Sequence, residues 1–218
     1  MNFSMTSSLL TPYPGTQDCP DSWNEVNLVK AAQKGDLEAF TSLVIAYQDR
    51  IFNLAVRILG DEEVADDITQ STFMTAYTQL PRFRNGSFHG WLYRIATNAC
   101  YDEFRQQKRH PVLSMDDKYL FDECIVPVYQ LQYSDASPER EAERDEQARI
   151  IQSALGQLKP DQRIVIVLVD QQELDYQEAA RVLHIPIGTV KSRLSRGRAH
   201  LHAILKKYNE NGLIEVYN

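Results

Sequence analysis

Between Tyr176 and Leu205 two helical patterns meet at one tight break, and no other stretch of this chain limits its fold as strictly. Asp175 and Glu178 have capping-box spacing, a carboxylate at the cap and a glutamate three residues on, and they open a short helix through Leu183. The five residues from His184 to Gly188 make a tight connection. Beyond them Val190, Leu194, Gly197, Leu201 and Ile204 follow spacings of four, three, four and three. Those spacings put all five on one helix face, which must pack on earlier helices. The opposite face presents Ser192 and Ser195, flanked by Lys191, Arg193, Arg196 and Arg198.

A capped short helix, a tight turn and an amphipathic second helix together describe a helix-turn-helix. Its second helix suits the major groove of duplex DNA: short hydroxyls allow close approach, while Arg and Lys reach phosphates or guanine edges. A solvated basic face would explain the charge alone, but not the cap, the turn and the apolar stripe with it. The overall net charge of −7 argues at first against a polyanionic partner, yet the charge is unevenly placed. From Pro111 to Glu146 ten acids face only Lys118, Arg140 and Arg144, so this segment alone carries the whole excess. From Arg181 to Lys207 there are seven basic residues and no acid, the local footprint a nucleic acid requires.

The rest of the chain reads as helix. Residues 1–24 hold Ser, Thr, Pro and Gly without a sustained period and are expected to form a tail. Leu28, Ala31 and Ala32 start a helix that Gly35 ends, and Asp36 is placed to cap the next. Phe40, Leu43, Val44, Tyr47, Ile51, Leu54, Ala55 and Ile58 then keep the spacing of a buried stripe. Gly60 and Asp61 repeat the stop and cap, and a third helix follows to Leu80, where Pro81 stops it. A fourth is expected from Trp91 to about Lys108. Past the acidic stretch helicity resumes near Glu139, with Ile150, Ile151, Ala154, Leu155 and Leu158 as its apolar face; Pro160 breaks it and Asp161 can cap a further helix. Ile164 to Val169 is β-branched and favours a strand by propensity, but a lone strand leaves its backbone unsatisfied, so a fully buried helix is expected. The fold class is therefore all-α: an N-terminal helical domain (25–110), an extended acidic linker (111–138), a C-terminal helix-turn-helix domain (139–209) and a short tail (210–218).

The fourth helix has a second two-faced design. Leu92, Ile95, Ala96 and Ala99 point one way, while Arg94, Asn98, Tyr101 and Arg105 form a narrow stripe opposite. Guanidinium, amide and aromatic groups on one stripe suit unstacked bases, which need cations, polar edges and a π surface together. The loop before it supplies Phe83, Arg84, Asn85, Ser87, Phe88 and His89, the makings of a pocket for an extruded base. Taken alone, Phe88 and Trp91 are better read as core anchors.

Other functions find little support. No apolar run approaches the roughly 20 residues of a membrane span and no signal peptide is evident, which points to a cytoplasmic protein. Cys19, Cys100 and Cys124 are odd in number and scattered, so buried or inert thiols are expected rather than a disulfide framework or a zinc site. No glycine-rich phosphate loop, His-Glu-x-x-His or nucleophile elbow occurs, and His89, His110, His184, His200 and His202 form no ligand set. Neither an enzyme nor a cofactor or metal requirement is expected. A two-domain regulator with an N-terminal sensor would share the helix-turn-helix but has no reason to expose the stripe of Arg94, Asn98, Tyr101 and Arg105.

Four motifs, ADDITQSTFMTAY (65–77), FRNGSFHGWLYRIATNACYDEFR (83–105), LKPDQRIVIVLV (158–169) and YQEAARVLHIPIGTVKSRLSRGRAHL (176–201), resemble the extracytoplasmic-function (ECF) sigma factors of bacterial transcription initiation. The resemblance spans about 25–207, in the family's order and with its acidic linker between. It implies partners in core RNA polymerase and in promoter DNA, both duplex and single-stranded, and many such factors are held by an anti-sigma partner. By position it implies that Asp66, Asp67, Gln70 and Phe73 meet the polymerase. Trp91, Arg94 and Asn98, with Phe83, would separate strands and hold a flipped base. Lys191 and Arg193 would take phosphates, while Ser192, Ser195 and Arg196 would face base edges of the thirty-five element. The linker would thread the polymerase interior. Two departures stand out: the loop FRNGSFHGW is one residue shorter than the commonest family pattern, and Glu173 stands where the family often has Gly.

Overall fold

The computed structural model describes residues 25–84, 86–109 and 138–210, with side chains described from 146 to 208 in the last segment. The stop and cap signals act where the sequence puts them. Helix α1 (Glu25–Gln33) ends at Gly35, whose φ of +95° is open to glycine at no steric cost. The Asp36 carboxylate then accepts from the Ala39 amide and starts α2 (Leu37–Leu59). Gly60, at φ +80°, closes α2, and the Asp61 carboxylate, accepting from Val64 N at 3.0 Å, starts α3 (Glu62–Gln79). A single 3-10 turn, Leu80–Arg82, carries the stopping Pro81.

Helix α4 (Phe88–Arg109) begins three residues before its expected start. The reason is Ser87, whose hydroxyl accepts from Gly90 N and whose carbonyl accepts from Trp91 N. Phe88 is thereby inside the helix and in the core. The stripe of α2 is buried as its spacing predicts: Leu43, Ile51, Leu54 and Ile58 have no exposed surface. Each such side chain contributes roughly 1.5–3 kcal/mol when fully buried.

The second half comprises α5 (Pro138–Gly156), α6 (Pro160–Ile166), a π-helical turn (Val167–Gln171), α7 (Tyr176–Leu183) and α8 (Ile187–Glu210). The β-branched run is helical, as expected from its burial: Ile164 through Leu168 are fully enclosed. Packing overrides propensity here because Gly197 of α8 lets Ile166 come so close that a Cβ on the glycine would lie 2.8 Å from Ile166 Cδ1. One expectation fails. Asp161 does not cap α6, since Lys159 holds the cap position without a side-chain bond and Pro160 is the first helical residue. Asp161 sits in the first turn with its carboxylate directed elsewhere.

Among the described residues the structure is all-helical, apart from turns. The two halves share one buried cluster rather than standing apart. Arg163 of α6 donates to Ile58 O at the end of α2 (2.7 Å) and to Gly156 O and Leu158 O after α5, with its guanidinium 5.8 Å from the Phe104 ring centre. It thus satisfies carbonyls that two helix ends leave unpaired. Gln152 Nε2 adds a second bond, at 3.0 Å, to Val56 O, which the Gly60 amide already caps. Residues 111–137, most of the expected linker, lie outside the described residues, as does Asn85.

Candidate nucleic-acid interfaces

The turn between α7 and α8 is built from backbone requirements. Asp175 Oδ1 accepts from Gln177 N at 2.7 Å and Glu178 N at 2.8 Å, which fixes the start of α7. His184 ends it in the left-handed region at φ +52°, and Thr189 N and Val190 N bond Pro186 O to begin α8. Val190, Leu194, Leu201 and Ile204 are buried against the earlier helices. Lys191, Ser192, Ser195 and Arg196 face solvent together, as their spacing predicts.

The two remaining arginines of this helix do not. Arg198, expected to flank the polar face, forms a two-pronged ion pair with the buried Asp170, with Nε to Oδ2 at 3.1 Å. That hydrogen bonding raises the pKa of the Arg198 guanidinium. Arg193 is half-buried and pairs with Asp161 at 3.0 Å. Arg196 lies back along its own helix, Nε on Ser192 O at 3.1 Å, and is exposed, so swinging outward costs it little. Lys191 Nζ lies 5.8 Å from the centre of the Tyr176 ring.

On α4 the expected stripe is split. Arg94, Asn98 and Arg105 are exposed, the last paired with Asp102 at 2.7 Å. Tyr101 is half-buried and donates to Asp161 Oδ1 at 3.2 Å, with burial as the main reason its pKa is pushed up to about 12. Phe83, Phe88 and Trp91 form one aromatic group, with ring centres 4.9 Å apart for Phe83 and Trp91 and 5.7 Å for Phe88 and Trp91. Phe88 is its buried anchor, while Phe83 and Trp91 keep a partly open face. The loop's His89 is held by the Ser87 hydroxyl, so both belong to the helix start.

Hollows flank Trp91 on two sides. One, of about 390 Å3, is lined by Arg82, Phe83, Arg84, Trp91 and Arg94 and is bordered by Glu178 and Arg181 of α7. The other, of about 370 Å3, lies between Trp91, Arg94 and Asn98 of α4 and Ser71, Thr72, Thr75 and Gln79 of α3. The Thr72 hydroxyl there is fully buried and has no hydrogen-bond partner. Sequence reasoning missed this α3 wall. The signal was present in polar residues at helical spacing, Ser71, Thr75 and Gln79 with the buried Thr72, along the edge of the face that buries Phe73 and Ala76.

The third set lies on the outer face of α3. Asp66, Asp67 and Gln70 are exposed, and Gln70 Nε2 bonds Asp66 Oδ2 at 2.8 Å. Phe73 departs from expectation: it is only 8% exposed and belongs to the core. Helical spacing explains this, because Phe73 shares the inward face with Thr69 and Ala76, which are also buried. The exposed apolar surface beside the acids is Met74, at 71%, with Tyr77 a turn away. Cys100 is buried in α4 and burial pushes its thiol pKa up to about 12, which suits an inert thiol.

Comparison with known proteins adds a pattern to this geometry. Residues 43–110 match the Sigma-70 region 2 family and residues 148–201 match Sigma-70 region 4. The chain is 37% identical to the ECF RNA polymerase sigma factor SigW of Bacillus subtilis over 82% of its own length and 95% of that protein's. It is 35% identical to the RNA polymerase sigma-H factor of Pseudomonas aeruginosa, over 82% and 92%. Its fold resembles the sigma factor RpoE solved with the anti-sigma factor NepR from Bartonella quintana, at 27% identity and a TM-score of 0.60, covering 78% of this chain and 98% of that one.

Proposed function

The chain belongs to the ECF RNA polymerase sigma factors, and from that premise we propose how its residues divide the work of binding core polymerase, directing it to promoters and opening the DNA. The α8 face selects the site: Ser192, Ser195 and Arg196 read base edges of the upstream element, while Lys191 and Arg193 hold phosphates. The α4 face opens the duplex. Trp91 and Phe83 offer ring surface to an unstacked base, Arg94 and Asn98 supply charge and a polar edge, and Tyr101 and Arg105 continue the track along the strand. The α3 face docks the polymerase through Asp66, Asp67 and Gln70, with Met74 beside them and Phe73 supporting them from beneath.

The observation that carries this reading is the pair of hollows beside Trp91, both walled by Arg94 and one by Asn98, in the same chain as an intact helix-turn-helix. A sensor domain would have no use for such a surface. The units are those of the sequence reading, 25–110 for polymerase binding and melting and 139–209 for upstream recognition, with 111–138 passing through the polymerase between them. No covalent chemistry, metal or cofactor enters the mechanism, and the protein acts where core polymerase is found, in the cytoplasm. An anti-sigma protein as inhibitory partner is part of the reading, by likeness to the RpoE complex. Run-off transcription with purified core polymerase tests it: this chain alone should support initiation from selected promoters. A requirement for a second sigma factor would contradict it and favour a helix-turn-helix regulator.

A further inference from the structure

Lys191 stands exposed near the start of α8, and among the described residues it makes no ion pair. Two of its basic neighbours are held by acids, Arg193 by Asp161 and Arg198 by Asp170. What Lys191 meets instead is a ring. Its Nζ lies 5.8 Å from the ring centre of Tyr176, the first residue of α7. At that range the negative face of an aromatic ring attracts an ammonium. Tyr176 is 38% exposed, too open to be a core anchor, a part that its buried neighbours Leu174 and Ala179 play.

The ring has little freedom. Its backbone is fixed on both sides: the Leu174 amide bonds Leu168 O at 3.1 Å, and the Asp175 carboxylate accepts from the Gln177 and Glu178 amides. Its hydroxyl adjoins the Arg198 guanidinium and adds to the hold that Asp170 has on that charge. The Asp170 side chain is only 2% exposed and accepts both prongs of Arg198, so this line of contacts is rooted in the π-helical turn. Lys191 and Arg198 stand two turns apart on one side of α8, and Tyr176 bridges them from the neighbouring helix.

We propose that Tyr176 is a positioning residue for DNA binding: its ring, moored by Arg198 and Asp170, holds the Lys191 ammonium where the phosphate backbone passes the helix-turn-helix. The proposal rests on the reading of α8 as the groove-entering helix with Lys191 on a phosphate. A lysine free in solvent gives up many rotamers when it binds, and one already laid against a ring gives up fewer. A carboxylate in the same place would also orient the ammonium, but it would cancel its charge and repel the phosphate. The ring orients the cation without neutralising it, so the counterion release that drives phosphate binding is kept.

The test measures binding of the holoenzyme, this chain with core polymerase, to a selected promoter duplex across a range of salt. Tyr176→Leu keeps the Asp175 cap and an apolar side chain but removes the ring. It should weaken binding by about two- to fivefold, the size of an exposed cation–ring contact, with sequence preference unchanged. In a Lys191→Ala background the same substitution should cost nothing further, whereas a merely structural role would cost as much without Lys191 as with it. Tyr176→Phe keeps the ring on the same fixed backbone and should retain most of the affinity. Arg198 itself is no probe, because its removal leaves the buried Asp170 unpaired. If Lys191→Ala weakens binding while Tyr176→Leu has no effect, or has the same effect in both backgrounds, the positioning role is overturned and the reading of α8 stands. A loss with Tyr176→Phe as large as with Tyr176→Leu also overturns it. If Lys191→Ala leaves affinity and salt slope unchanged, the phosphate reading fails and takes the role of Tyr176 with it.

Discussion

Glu173 carries a backbone conformation that its side chain disfavours. Its φ of +55° lies in the left-handed region, just where the loop leaves the π-helical turn and Leu174 N bonds Leu168 O at 3.1 Å. The sequence marked this position through a glutamate where relatives often carry glycine, but spacing alone could not give its backbone angle. Glu173→Gly should therefore raise stability by roughly 0.5–1 kcal/mol, the relief of strain exceeding the entropy that glycine adds to the unfolded chain; urea denaturation checks it, and a loss of stability would contradict it. The tyrosines of α4 make a second residue-scale prediction. Tyr93 and Tyr101 have folded pKa values near 12 against an ordinary 10, so the folded state holds their protons more tightly. The stability they contribute is fully present below pH 10 and lost as pH rises toward 12, and Tyr93→Phe should flatten that fall. Arg193, Arg198 and Tyr101 show what residue patterns leave hidden. All three sit correctly for an outward face, yet carboxylates more than twenty residues distant in sequence claim them, and pairings at that range leave no periodic trace.

At the scale of the element, helix boundaries were legible wherever a side chain caps or a glycine stops. Asp36, Gly60, Asp61 and Asp175 all act as their positions predict. Where proline takes the first helical position, as at Pro160, the cap signal in Asp161 misleads, and where a serine carries the cap, as at Ser87, the helix starts earlier than its apolar period. In the proposed division of work, promoter choice rests on helix α8. Arg196→Ala should weaken discrimination at the upstream element, since a base-edge contact is worth roughly 1–3 kcal/mol, whereas Lys191→Ala should lower affinity for every sequence and reduce the salt slope by about one. Binding titrations across salt on matched and mismatched duplexes separate the two; a change in sequence preference from Lys191→Ala would reverse its assignment. The seat of α8 on α6 is as exacting. Gly197→Ala places a methyl against Ile166 and should cost about 1–3 kcal/mol, visible as a lowered melting temperature with the DNA-facing residues unchanged.

For the whole molecule, the division into two helical halves was legible from the loss of period and the accumulation of acids after Pro111, while their mutual packing was not. Arg163 reads in sequence as one more charge near a helix start, and only the structure shows it closing the ends of α2 and α5. In the proposed function the two halves perform different acts on one promoter, the α8 face placing the polymerase and the α4 face holding the opened strand. Permanganate footprinting of a selected promoter, with core polymerase and this chain as the sole initiation factor, tests that division most directly. Reactive, unpaired thymines should appear near the start site. Asn98→Ala or Trp91→Ala should remove the reactivity while protection of the upstream element persists, and Arg196→Ala should weaken that protection first. Strand opening that survives loss of Trp91, Arg94 and Asn98 together would contradict that division.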